Sequence, residues 1–220
     1  MVQKTRTLAR MPSTHAAAAR APRPRGRPRA YDADEALARA TAAFWETGFT
    51  GTSLDVLSDA CGMNRPSLYG AFGDKHALYL TALERYAQAG RAAMDEALRP
   101  ERALRLGLRR VYEAALKMYF PSGGAARGCF LIGTAATEAM SDEAIRELLQ
   151  RALRSFDDAF ETRLRLAVVS GELPAHANPA VLARMASALL HTLALRSRAG
   201  DSRAGLVATA AAGIDLICGA

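Results

Sequence analysis

At 220 residues, half of them hydrophobic, the chain carries enough apolar material to bury a core, which excludes a disordered polypeptide and suits one domain or two closely packed ones. No run free of Asp, Glu, Lys and Arg exceeds 11 residues, well short of the ~20 apolar residues of a membrane-spanning helix. The formal charge of +7 is unevenly placed: Lys4, Arg6, Arg10, Arg20, Arg23, Arg25, Arg27 and Arg29 put eight positive charges in residues 1–31 without one acid, leaving the rest of the chain at −1.

Residues 1–31 therefore read as a disordered basic arm on a near-neutral globule, and such arms meet nucleic acid. An Arg-rich, acid-poor organelle import signal is the competing reading, against which Pro12, Pro22, Pro24 and Pro28 interrupt any sustained amphipathic helix. Arg25-Gly26-Arg27-Pro28 resembles the core of an AT-hook, in which glycine permits close approach while two arginines enter a narrow minor groove. The alternative is a solvated arm adding only non-specific charge.

Structure is expected from Asp32, where Asp32-Ala33-Asp34-Glu35 has the spacing of a capping box. Helix 1 runs to about Thr47, burying Leu37, Ala40, Ala43 and Phe44, and Gly48 is its stop. Thr52 or Ser53 caps a short second helix ending near Ala60. Cys61-Gly62-Met63-Asn64 is a tight turn, with Gly62 left-handed and Asn64 capping a third helix from Arg65 to Phe72. Pro66 sits in the first turn, where amides lack intrahelical partners. This spacing is that of a helix-turn-helix that binds DNA. Long helices follow at about 75–96, 102–119, 128–140, 142–170, 179–198 and 203–218, broken by Pro, Gly and capping residues. The expected fold class is all-α with about nine helices, divided into 32–78, a DNA-binding domain, and 79–220, a larger helical domain.

The segment Thr52 to Leu78, TSLDVLSDACGMNRPSLYGAFGDKHAL, resembles the helix-turn-helix of the TetR/AcrR family of transcriptional regulators. The likeness rests on Thr52-Ser53, Ala60-x-Gly62, Ser67-Leu68-Tyr69, Phe72, Lys75 and Leu78, with Phe44, Gly48 and Phe49 upstream. It implies a homodimeric cytoplasmic regulator of prokaryotic type, nucleoid-associated when bound. Such a regulator is a repressor released from a palindromic double-stranded operator by a small-molecule effector. Asp55, where many members carry a basic or polar residue, departs from the pattern and would repel phosphate; Gly70 and Ala71 also depart from it.

In the reading helix, Leu68 and Phe72 supply the buried face and Arg65 can give two guanidinium hydrogen bonds to guanine O6 and N7. A phosphate clamp or plain surface arginine is the alternative. Pro66 offers apolar contact to a thymine methyl. The resemblance assigns Ser67, Tyr69 and Lys75 to phosphate, where they position the duplex without reading sequence. Tyr69 is otherwise a half-buried packing ring. Thr52, as an N-cap, would present helix amides to phosphate.

Effector contacts are expected among Tyr112, Tyr119, Phe120, Phe130, Met140, Phe156, Phe160 and His191, each of which also reads as core packing. Cys129, expected at a helix N-terminus beside Arg127, is a candidate redox or electrophile sensor with a lowered thiol pKa, the alternative being an inert half-buried cysteine. Cys61 and Cys218 read as packing residues. Three cysteines without a CxxC spacing suit a reducing cytoplasm. By resemblance the last two helices form the dimer interface, through Leu182, Met185, Leu189 and Leu193 on the eighth and Leu206, Ala210, Ile214 and Ile217 on the ninth; a monomer core is the other reading. No G-x-S-x-G, Walker loop, H-E-x-x-H or dinucleotide turn marks an enzyme, and no cofactor or metal is implied. A sequence-tolerant nucleoid-associated DNA binder is the alternative function.

Overall fold

The computed structural model describes residues 32–121 and 125–219, and the basic arm expected over residues 1–31, with Arg25 and Arg27, lies outside the described residues. Nine α-helices and no strand occur among the described residues: α1 (Ala33–Gly51), α2 (Leu54–Cys61), α3 (Arg65–Phe72), α4 (Lys75–Ala97), α5 (Leu104–Tyr119), α6 (Ala136–Glu138), α7 (Glu143–Val169), α8 (Pro179–Arg198) and α9 (Arg203–Cys218). A π-helical turn, Leu131–Ala135, runs directly into α6. No helix among the described residues is long and apolar enough to cross a membrane.

The helix starts follow capping chemistry. Asp32, Ser53, Asn64, Asp74, Asp142, Asn178 and Ser202 each accept a backbone N–H in the first turn of the helix they precede. Helix α5 begins without such a residue, since Ala103 has no acceptor. Its Leu104 amide instead donates to Glu172 Oε2 at 2.5 Å, from beyond the end of α7. Glu172 is held by Arg163, whose Nη2 donates to Glu172 Oε1 and to the Arg102 carbonyl, both at 2.7 Å. This ion pair, buried at Arg163 and open to solvent at Glu172, ties the α4–α5 connection to α7.

The helix expected as one element over 128–140 is wound unevenly. Thr134 Oγ1 donates to the Phe130 carbonyl at 2.8 Å, and the Ala136 amide reaches back to Leu131 O. That amide reaches one residue past its α-helical acceptor, which is the π spacing; the hydroxyl bond accompanies it without dictating it, since Thr41, Thr47, Thr81 and Thr209 make the same bond inside regular α-helices. Gly128 precedes this turn at φ 64°, and a Cβ there would lie 2.6 Å from the Ala194 carbonyl of α8, so only glycine fits.

The ninth-helix stripe expected at a dimer interface lies inside the subunit. Leu206, Ala210, Ile214 and Ile217 are all buried, and α9 packs on α5 and α8. On α8, Leu193 is fully buried and Leu189 lies against Gly213 of α9. Burial of side chains of this size contributes ~1.5–3 kcal/mol each to folding. The apolar residues facing outward are instead Val181, Met185 and Leu195 on α8, with Val207 and Leu216 on α9. Of the expected interface residues, Met185 is exposed and Leu182 is half-buried.

Candidate nucleic-acid interface and effector cavity

The turn between α2 and α3 is set by two residues. Gly62 ends α2 at φ 62°, ψ 31°, the left-handed conformation, and Asn64 accepts the Ser67 amide at 2.9 Å to start α3. Leu57, Cys61 and Leu68 turn into the core, where Cys61 Sγ donates to the Ala36 carbonyl. With Leu68 buried and Ala71 and Phe72 half-buried, α3 leaves Arg65, Pro66, Ser67, Tyr69 and Gly70 facing solvent. Arg65, Pro66 and Ser67 share its first turn, and Tyr69 stands one turn on, 44% exposed.

Lys75 opens α4 with its Nζ 4.4 Å from the centre of the Phe49 ring. Partial burial lowers its pKa from the ordinary lysine value. Thr52 does not belong to this surface. It is fully buried, donating from Oγ1 to the Gly48 carbonyl at 2.6 Å and pairing with Thr47 Oγ1 at 2.7 Å, while Ser53 caps α2. The contact that sequence reasoning did not foresee is Asp55, whose carboxylate holds Arg65. A carboxylate and an arginine ten residues apart carry no pairing signal until the α2–α3 angle is known.

Behind this surface, α4, α5, α7, α8 and the π turn enclose a cavity of about 190 Å³. Of the residues expected to meet effector, Tyr119, Phe156 and His191 line it. The rest are placed elsewhere. Phe160 is fully buried against Tyr112, whose hydroxyl donates to the Ala186 carbonyl at 3.1 Å. Phe130 sits in an aromatic cluster with Trp45, Tyr79 and Tyr86. Phe120 is half-buried after α5, and Met140 is 86% exposed between α6 and α7. Lining residues that sequence reasoning missed include Tyr86, Gly90 and Met94 of α4 and Leu131 and Ile132 of the π turn. The 86, 90, 94 spacing marks one helix face, but it does not separate a cavity wall from filled core.

Cys129 also lines the cavity, and here the expected lowered pKa is reversed. Burial pushes its thiol above the ordinary value, against hydrogen bonds from Tyr86 and the Ile132 and Leu131 amides. Arg127 gives no compensating charge, because its guanidinium lies 3.9 Å over the Trp45 ring. His191 is shifted down by burial and stands neutral at pH 7, with its Nε2 buried and unpartnered among the described residues.

The cavity wall and the α1–α4 end share contacts. Tyr79 of α4 pairs with Thr134 of the π turn, Thr50 of α1 donates to Glu138 of α6 at 3.0 Å, and His76 Nε2 lies 2.7 Å from Asp142 Oδ2. Trp45 Nε1 donates to the Arg127 carbonyl at 3.3 Å.

Residues 36–82 match the family model described as bacterial regulatory proteins, tetR family, and residues 107–212 match the tetracyclin repressor-like C-terminal domain. The chain is 29% identical over 178 residues to the HTH-type transcriptional repressor ComR of Escherichia coli (strain K12), covering 81% of this chain and 85% of that protein. It is 30% identical over 148 residues to the HTH-type transcriptional regulator YezE of Bacillus subtilis (strain 168), covering 67% and 76% respectively. Among solved structures, a cysteine-substituted CifR, a TetR-family regulator complexed with 26-base-pair operator DNA, superposes with a TM-score of 0.77 at 31% identity, covering 86% of this chain and 98% of that one.

Proposed function

This chain belongs to the TetR family of DNA-binding transcriptional regulators, and from that premise we propose that it is a repressor that leaves an inverted-repeat operator when an uncharged, largely apolar small molecule enters the cavity behind α4. The observation that carries this reading is one short segment with two duties. Leu131 and Ile132 of the π turn line the cavity, and Thr134 of the same turn is hydrogen-bonded to Tyr79 of α4, the helix that follows the reading helix. A ligand that displaces the turn biases the position of α4 and so of α3, which is how a differential contact becomes a change in DNA affinity.

The lining favours an uncharged ligand. It contains no Asp, Glu, Lys or Arg, and a buried charge without a partner is costly. A dry apolar cavity of ~150 Å³ accommodates benzene, so about 190 Å³ suits one aromatic ring with a short substituent or a small fused pair of rings. Arg65, Pro66 and Ser67 at the start of α3 enter the major groove, with Arg65 reading a base, while Tyr69 and Lys75 position the phosphates. The arm, through Arg25 and Arg27, adds minor-groove and phosphate contacts. Val181, Met185 and Leu216 on the outer faces of α8 and α9 meet their copies in a second subunit, which sets two reading helices ~34–36 Å or a multiple apart.

The test is to select duplexes from random DNA with the purified protein, then titrate the selected duplex complex with indole, benzoate and benzylamine. An inverted repeat released by indole alone supports the reading. Sequence-tolerant coating of DNA would favour an architectural role, and release by benzoate would contradict the uncharged-ligand assignment.

A further inference from the structure

Arg65 does not stand free on the reading surface. Its Nε and Nη2 both donate to Asp55 Oδ1, at 3.1 and 2.6 Å, so the first turn of α2 grips the first turn of α3. The two side chains are 54% and 71% exposed, and an ion pair so open to water adds little to folding. Its geometry suits another purpose. A guanidinium has five N–H donors in a planar fork, and Asp55 takes Nε–H and one Nη2–H, which leaves the end of the fork open. Two donors at that end match guanine O6 and N7 in the major groove.

Asp55 also keeps an unused acceptor, since its Oδ2 makes no hydrogen bond among the described residues. An ionised carboxylate only accepts, and the major-groove edges that donate are the exocyclic amines, N4 of cytosine and N6 of adenine. A carboxylate on a DNA surface is repelled by phosphate, and the arginine it carries offsets that repulsion while fixing its distance from the base edge.

We propose that Asp55 is a specificity-determining residue that positions Arg65 on a guanine and accepts, through Oδ2, a hydrogen bond from the amine of a neighbouring cytosine or adenine. This rests on Arg65 being a base reader. A carboxylate in the first turn of α2 also complements the helix dipole, but that role changes stability and not sequence preference.

The experiment compares the full chain with Arg65→Ala, Asp55→Ala and Asp55→Asn by selection from random duplexes, affinity on single-base operator variants and thermal unfolding. Arg65→Ala should lose the guanine preference, a change between about fivefold and about 150-fold. Asp55→Ala should weaken that preference and erase the one beside it. In Asp55→Asn the side-chain oxygen still accepts from Arg65 while the amide now donates, so the neighbouring preference should move from C or A to T or G. If Arg65→Ala loses the guanine preference while both Asp55 variants keep wild-type preferences, the inference fails and the reading of Arg65 survives. If Arg65→Ala keeps the guanine preference, the reading itself fails and the inference with it. Tighter operator binding by Asp55→Ala would show that Asp55 sequesters Arg65, which also overturns the inference.

Discussion

The Tyr79 hydroxyl lies 2.7 Å from Thr134 Oγ1 in the buried interior, joining α4 to the π turn with a hydrogen bond that no water competes for. Tyr79→Phe removes one partner of this pair while keeping the ring. It should cost ~0.5–1.5 kcal/mol of stability, since Thr134 still donates to the Phe130 carbonyl. Operator affinity should stay within about twofold, and the ligand concentration needed for release should rise. Unfolding and operator titrations on one preparation check this. Unchanged release would mean that the coupling runs through Thr50–Glu138 or His76–Asp142.

The proposed subunit contact rests on the outward apolar residues of α8 and α9. Met185→Asp with Leu216→Asp places charges at positions 49% and 77% exposed in the single subunit, so the variant should fold, become monomeric by light scattering and lose tight operator binding. Ile214→Asp is the contrast. With Ile214 buried inside the subunit, that variant should fail to fold, and a folded monomer would return the buried stripe to the interface.

Burial of Cys129 reverses its expected reactivity. With its thiol raised above the ordinary value of 9.0, the thiolate fraction at neutral pH falls below that of a free cysteine. Iodoacetamide labelling read by mass spectrometry should modify Cys218, which is only half-buried, before Cys129. Cys129 reacting first at pH 7 would restore its expected reactivity, and a sensing role would further require Cys129→Ser to lose electrophile-dependent release from DNA.

The Arg163–Glu172 pair makes folding sensitive to acid. Burial opposes the Glu172 charge, but the Leu104 amide and Arg163 together hold its carboxyl below the ordinary value of 4.5. A folded pKa depressed below the unfolded one contributes stability that is complete above the unfolded pKa and disappears as pH falls through the folded one. Acidification below about pH 4.5 should therefore lower the melting temperature of the wild type more than that of Glu172→Gln. At neutral pH Glu172→Gln should be the less stable, by ~1–3 kcal/mol, because the guanidinium keeps only a neutral partner. Parallel melting curves across this range would remove the pair from the acid response.

What the sequence made legible is what local rules decide. Asn64, Gly62 and Pro66 mark the turn and the start of α3 through backbone conformation and capping, without reference to distant residues. Periodicity marks a helix face but not its neighbour. Phe156 and Phe160 stand four apart on α7, yet one lines the cavity and the other is core, and Ile214 and Leu216 stand two apart on α9, one inside and one out. The π turn was hidden because neither composition nor periodicity marks a one-residue slip of the hydrogen-bond ladder. The grip of Asp55 on Arg65 depends on a tertiary angle, and so does the placing of Arg127 over Trp45 and away from the Cys129 thiol.

If a ligand in the cavity behind α4 releases the operator, filling the cavity should abolish that release. Gly90 lies in the wall, where an added Cβ would sit 3.3 Å from Phe156, so Gly90→Leu occupies ligand space and suits the helix better than glycine does. Fluorescence anisotropy of a labelled, selected operator duplex is followed during titration with indole, for wild type and variant side by side. The wild type should be fully released, and the variant should stay operator-bound at indole concentrations that release the wild type. A variant that binds the operator and is released at the wild-type indole concentration would contradict release through the cavity.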